Sequence, residues 1–407
     1  MRSRVPKSLP SYVGADRQRD AGVPSGGSIK TRRVRPNKRL FGGAGAEPPR
    51  AARSAGHLGK NTDRVSPPKS GLAIARELRE LLWTIASERA SKCGRVRIAP
   101  DVDIAKRYGR AHFHGIMRCS LLWECPVCSR AIKAARADEV RKAVAWHGAE
   151  GVLLLTLTMR HGLGDDLKVV RKGLTCAWQK MQSGKQWGTI KAQMGFAGSI
   201  RALEVTHGPN GWHPHIHVLL FTREMTASDL EELRQTLSAR WQRCVEKALG
   251  TEHRPNDRNG CDLKQCFDSN YLNKLGLELT APIGKDAQNE NRAPMQIAYD
   301  FVTNGSEADL ILWRTYCKGM KGARMLTWSR GLRDRAGLNE EQTDEEIVNS
   351  EDAEEVFITR IFGKTWDKIR DIRGITHSLL SVAEKDGEIG VEMLIARLSA
   401  LRVDKLP

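Results

Sequence analysis

Three histidines alternate along one short stretch of the sequence, at His213, His215 and His217. Apolar residues surround them and a turn precedes them, which together predict a β-strand. Alternate side chains of a strand point to the same face, so the three imidazoles are expected to project together from a rigid element. Because neutral imidazole is a good ligand for first-row metal ions, the pattern predicts a metal site. Histidines that merely pack are the alternative.

A carboxylate ligand is predicted on the preceding strand, residues 199–206. This strand is joined to the histidine strand by a turn over His207–Trp212. If the hairpin pairs His207 with Trp212, Glu204 lies opposite His215 and shares the histidine face. A slip of one residue would send Glu204 to the other face, so its role as a ligand depends on the turn.

A candidate nucleophile follows on a predicted helix, where Tyr271 and Lys274 share one face. A phenol titrates near pH 10 and needs help to attack at neutral pH. A metal would polarise a target phosphate, and Lys274 would offset charge in the transition state. Attack on phosphorus would leave a phosphotyrosine and a free hydroxyl. This spacing alone is weak support, and Tyr299 and Tyr316 are rival candidates.

A cysteine cluster precedes this region, in a stretch that otherwise reads as irregular. Its members are Cys93, Cys119, Cys125 and Cys128. The last two have the short spacing of a zinc knuckle, and four thiolates favour a structural Zn²⁺ ion. His112 or His114 are alternatives to Cys93 as the fourth ligand. Nine cysteines in a chain of 407 residues argue against a disulfide framework. Buried free thiols and a redox pair are the other interpretations.

The formal net charge of +18 favours a polyanionic partner, of which nucleic acid is the common one. No run of about 18 apolar residues is present, so no membrane partner is expected. Residues 1–20 lack the apolar centre of a secretory signal. The odd number of cysteines, which fits reduced thiols or a metal site better than disulfides, predicts a reducing cytosol as the compartment.

The elements that position these residues alternate between strand and helix. The predicted strands lie at 151–158, 199–206, 213–221 and 261–266, and the predicted helices at 166–181, from 228 onward and around Tyr271. This order is an α+β pattern, and it fits a ferredoxin-like antiparallel sheet with flanking helices. A small cysteine-rich zinc-binding segment is expected to precede it.

Four segments occur in the order of the three motifs of plasmid rolling-circle replication initiators. They are Leu154–Thr158, Leu203–Thr206, Gly211–His217 and Tyr271–Leu275. From about Cys93 to Leu338 the chain resembles these Rep proteins, which belong to the HUH endonuclease superfamily. His215 and His217 match the family's histidine pair, and Tyr271 falls where the family has its nicking tyrosine.

The resemblance implies a metal-dependent endonuclease that uses Mg²⁺ or Mn²⁺. Its substrate would be single-stranded or extruded DNA at a plasmid double-strand origin, in the bacterial cytoplasm. The enzyme would cut one strand, stay attached to the 5′ end through Tyr271, and leave a 3′-hydroxyl primer. Host helicase and polymerase would then be partners. Phe267 stands where some relatives carry a glutamate that ends replication, with Asp268 beside it.

Five segments follow from this interpretation. They are a disordered basic arm (1–70), a helical and cysteine-rich zinc-binding region (71–147), the HUH endonuclease core (148–282), a C-terminal extension of the Rep domain (283–337), and an acidic segment with a helical tail (338–407). Two other functions stay open, namely an HUH transposase and a non-catalytic, zinc-containing DNA-binding regulator. The regulator accounts for the charge and the cysteines but not for the convergent histidines.

Overall fold

The computed structural model describes residues 71–266, 291–338, 340–350 and 354–403, with side chains up to residue 400. The predicted basic arm lies outside the described residues. So do Phe267, Asp268, Tyr271 and Lys274. Within the described part, no helix has both the length and the apolar character needed to cross a bilayer.

The helices are α1 (Gly71–Leu82), α2 (Glu88–Ser91), α3 (Pro126–His147), α4 (Leu167–Met181), α5 (Gly184–Gln193), α6 (Ala227–Leu249), α7 (Pro294–Asn304), α8 (Glu307–Met320), α9 (Leu332–Arg335), α10 (Asp344–Asn349), α11 (Gly363–Ile369) and α12 (Ile375–Val403). The strands are β1 (Val102–Arg107), β2 (Arg110–His114), β3 (Val152–Leu157), β4 (Gly198–Gly208), β5 (Gly211–Phe221), β6 (Cys261–Gln265), β7 (Leu326–Trp328) and β8 (Val356–Ile361). Helix α12 is interrupted at Gly387, which has a φ of 64°.

The larger sheet has five antiparallel strands in the order β6-β3-β5-β4-β7. Helices α4 and α5 connect β3 to β4, and α6 connects β5 to β6. This succession of strands and helices is the ferredoxin-like one, which confirms the predicted α+β class. Strand β7 extends the sheet beside β4, so residues 326–328 belong to the same sheet although they follow the predicted core.

Strand β3 shows why this sheet is buried on both faces. Its residues are almost all apolar, which is typical of a strand covered on two sides. Leu153, Leu155 and Leu157 pack in a cluster with residues of α4 and α6, such as Trp241. Val152 and Leu154 point to the opposite face and pack in a second cluster with residues of α3. The sheet is therefore the middle of three layers, and its strands are held in a fixed register.

A second, three-stranded sheet has the order β2-β1-β8 and was not predicted. Strands β1 and β2 form a hairpin within the stretch that reads as irregular in the sequence. Strand β8 comes from the tail and pairs with β1 on the other side. One face of this sheet packs against α11 and α12, with Trp366 fully buried. The tail therefore pairs and packs with residues that precede the larger sheet in the sequence.

Candidate metal centres

The β4–β5 hairpin has the register on which the predicted site depends. His207 pairs with Trp212, and Glu204 pairs with His215. The tight connection is possible because Gly211 has a φ of 87°, in the left-handed region that favours glycine. The carboxylate of Glu204 therefore lies on the histidine face, as predicted from the turn.

Three of the four predicted ligands converge on one point. Oε2 of Glu204 lies 3.1 Å from Nε2 of His215 and 3.2 Å from Nε2 of His217. Donor atoms bound to a common ion at 2.0–2.2 Å are separated by about 3.0–3.4 Å in octahedral or tetrahedral sites. The observed separations are in this range, so the three side chains can hold an ion with little movement.

The electrostatics of the cluster keep the carboxylate charged. Burial alone would raise the pKa of Glu204, but hydrogen bonds with His215 and His217 and the charge of the imidazoles lower it below its usual value. Lys133 of α3 is near enough for its charge to interact with that of Glu204. Burial lowers the pKa of Lys133, and the carboxylate acts in the opposite direction. A bound metal ion would replace the imidazole protons that face Glu204, and an ionised carboxylate beside neutral imidazoles is the form that ligates a metal.

The other ring nitrogen, Nδ1, of His215 and of His217 also lies within hydrogen-bond distance of an oxygen atom. Nδ1 of His217 lies 3.0 Å from Oγ1 of Thr156, its pairing partner on β3. Nδ1 of His215 lies 3.3 Å from the carbonyl oxygen of His213. With a proton on Nδ1, donation to these oxygens leaves the lone pair of Nε2 for a metal. No sequence pattern predicts this contact between Thr156 and His217.

We expect the substitution Thr156→Val to weaken metal binding about tenfold, because His217 would lose the partner that fixes its ring. Isothermal titration with Mn²⁺ would measure the affinity. Thr189→Val is the matched control, since within the described residues the hydroxyl of Thr189 donates to a carbonyl of its own helix. Equal Mn²⁺ affinity in the two variants would contradict the orienting role of Thr156.

His213 is not brought into this cluster. Its ring stacks on that of His161 with centroids 4.5 Å apart, and its Nε2 is buried without a hydrogen bond. Burial, together with the charges of His215 and His161, lowers the pKa of His213 to about 4. His213 and His161 line a cleft of about 560 Å³, whose other polar lining residues include Arg160 and Asn256. No sequence pattern pointed to His161.

Of the rival tyrosines, Tyr316 is placed where it would be a poor nucleophile. Tyr316 is 5% exposed, lies between Trp212 and Trp313 at centroid distances of 6.0 and 5.8 Å, and has a pKa raised well above its usual value by burial. Tyr299 is partly buried and packs against the main core. The place of Tyr271 relative to the histidines lies outside the described residues, so its role stays a prediction.

The four predicted cysteines form a second cluster, with Cys93 rather than His112 or His114 as its fourth member. The Sγ–Sγ distances are 3.6 Å for Cys93–Cys128, 3.7 Å for Cys119–Cys128 and 3.7 Å for Cys93–Cys125. A disulfide requires about 2.05 Å. Sulfur atoms at the corners of a zinc tetrahedron with 2.3 Å bonds are about 3.75 Å apart. The arrangement therefore suits a tetrahedral thiolate site.

Arg79 of α1 supplies positive charge beside the thiols. Hydrogen bonds from the other three cysteines, and to a smaller extent the charge of Arg79, lower the pKa of Cys93 although burial opposes them. A Zn²⁺ ion with four thiolates carries a net charge of about −2, which a buried guanidinium helps to offset. Arg79 is also fixed by Thr376 of α12, whose Oγ1 lies 2.9 Å from Nη2.

Comparison with known protein families finds one match. A family model described as "Replication protein" matches residues 114–371, which is more than half of the chain. A protein of Streptomyces lividans described as "Protein rep" is 29% identical, over 56% of this chain and 66% of its own length. A "Neomycin resistance protein" of Streptomyces cyanogenus is 31% identical, over 31% of this chain and 36% of its own length. The chain thus spans less than two thirds of either relative.

Among solved structures, the N-terminal nuclease domain of the minute virus of mice non-structural protein 1 is similar over 38% of this chain and 77% of that domain. The sequence identity is 13% and the TM-score is 0.16.

Proposed function

Since this chain belongs to the replication protein family, we propose that it initiates rolling-circle replication of a plasmid by nicking one DNA strand at the origin. The observation that carries the proposal is the convergence of Glu204, His215 and His217 on one face of the hairpin. A regulator that only bound DNA would have no need of this arrangement.

The proposed reaction is a transesterification. A Mg²⁺ or Mn²⁺ ion held by the Glu204–His215–His217 cluster would polarise a non-bridging oxygen of the scissile phosphate. Tyr271 attacks the phosphorus, a bond from its oxygen to phosphorus forms, and the bond from phosphorus to the 3′ oxygen breaks. The phenol loses its proton to solvent and the leaving oxygen gains one. Lys274 offsets the negative charge that develops. The products are a 5′-phosphotyrosine link and a free 3′-hydroxyl.

The partners follow from this chemistry. The 3′-hydroxyl is a primer for host polymerase, and a host helicase would unwind the duplex ahead of it in the bacterial cytoplasm. The net charge of +18 supports binding of the phosphate backbone. The cleft beside His213 offers Arg160 and amide side chains to a nucleotide next to the ion. The substrate we propose is single-stranded or extruded DNA at the nick site of the double-strand origin.

The direct test is incubation of the protein with labelled single-stranded oligonucleotides that tile the origin. With Mg²⁺ or Mn²⁺ we expect a protein–DNA adduct that survives denaturant, and a chelator should prevent it. The variant His215→Ala should nick about 10²-fold more slowly, because an ion ligand is lost. His377→Ala on α12 is the control and should nick normally. Tight binding without an adduct under every metal condition would instead support the non-catalytic regulator.

A further inference from the structure

A third cluster of potential ligands lies on the smaller sheet, away from both sites described above. Nε2 of His112 is 3.1 Å from Nε2 of His114 and 3.0 Å from Oε1 of Glu355. Nε2 of His114 is 2.7 Å from Oε2 of the same carboxylate. The three side chains are 16–29% exposed, so solvent can reach them although each is largely covered.

The register of the sheet explains how these residues meet. His112 and His114 alternate on β2 and so share a face. Glu355 immediately precedes β8, on the far side of β1. Between them lies Ala105, which pairs with His112 on one side and with Phe357 on the other. The methyl group of Ala105 is small enough to let the carboxylate reach across the central strand to both imidazoles.

We propose that His112, His114 and Glu355 bind a divalent transition-metal ion of the zinc class. Two imidazoles and one carboxylate form a ligand set that suits Zn²⁺ and its neighbours, and three protein ligands leave a position for water. Donor atoms on such an ion would be about 3.3–3.4 Å apart, so the observed separations of 3.1, 3.0 and 2.7 Å need to widen by only a few tenths of an ångström. Both Nε2 atoms face the same carboxylate, as they do at Glu204.

The ion would link parts of the chain that are far apart in the sequence. His114 and Glu355 are 241 residues apart in the sequence. Apart from the β1–β8 pairing, the cluster adds a direct link from β2 to the segment that carries β8, α11 and α12. Because the opposite face of this sheet packs on α12, an ion that binds the folded arrangement alone would stabilise the docking of the tail.

Metal stoichiometry tests this site separately from nicking. Purified wild-type protein would be dialysed against excess Zn²⁺, and bound zinc would be counted by mass spectrometry. We expect His114→Asn and Glu355→Gln each to bind one ion fewer than wild type. Asp103→Asn is the matched control, because Asp103 pairs with His114 on the same face but bonds to Arg360 instead. It should bind as many ions as wild type.

Thermal melts provide a second measurement. Added Zn²⁺ should raise the melting temperature of wild type and of Asp103→Asn more than that of the two cluster variants. His215→Ala removes an ion from the other cluster, so it should still lose a further ion when combined with His114→Asn. Because the losses of bound ions in the two variants add, the experiment tests this metal site separately from the nicking function. Unchanged zinc content in both His114→Asn and Glu355→Gln would overturn it.

Discussion

The variant Tyr271→Phe is expected to form no covalent adduct with origin DNA, with nicking reduced by at least about 10⁴-fold. The phenylalanine ring keeps the apolar surface of tyrosine but lacks the oxygen that would bond to phosphorus. If water attacked the phosphate in place of the tyrosine, no bond between protein and DNA would form. DNA binding should change little, because backbone contacts by basic residues supply most of the affinity.

The control variants for this experiment are Tyr316→Phe and Tyr299→Phe. The ring of Tyr316 is 5% exposed and packed between tryptophans, so its hydroxyl has no access to a phosphate. Both controls should form the adduct at nearly the wild-type yield. Denaturing gels with labelled oligonucleotide measure the adduct, and peptide mapping locates it. An adduct of normal yield in Tyr271→Phe would refute the assignment of the nucleophile.

Four strands of the larger sheet, with the histidine hairpin, could be predicted because their signals are local. The pairing of Glu204 with His215 follows from a two-fold periodicity and a tight turn that lie within a few residues of each other. The same holds for Cys125 and Cys128, whose spacing indicates a thiolate site by itself. In both cases the residues that meet are fixed by short-range geometry.

The smaller sheet could not be predicted because its central strand pairs with residues far away in the chain. Strand β8 is short, its partner β1 lies about 250 residues earlier, and no periodicity connects the two. The sequence therefore suggests His112 and His114 only as substitutes for Cys93 in the cysteine cluster. Their actual neighbour, Glu355, is one of many glutamates in an acidic segment, and nothing in its local sequence sets it apart.

Exchange of Cys119 and Cys125 for serine is expected to prevent the cysteine region from folding. Zinc binding to a structural site contributes an apparent free energy of about 10–16 kcal/mol, which is comparable to the whole stability of a typical domain, about 5–15 kcal/mol. The four thiols are at most 2% exposed, so without the ion two buried hydroxyls would replace ligands in an apolar setting.

The consequences should extend beyond the cysteines themselves. Cys125 is the residue before α3, and α3 covers one face of the larger sheet. We therefore expect the double variant to lose zinc, to lose its cooperative thermal transition by circular dichroism, and to nick poorly. Cys176→Ser with Cys317→Ser is the control, because these two thiols lie outside the cluster and are partly exposed. If the double variant lacks this zinc and still melts like the control, the cysteine region folds without a metal and the prediction is wrong.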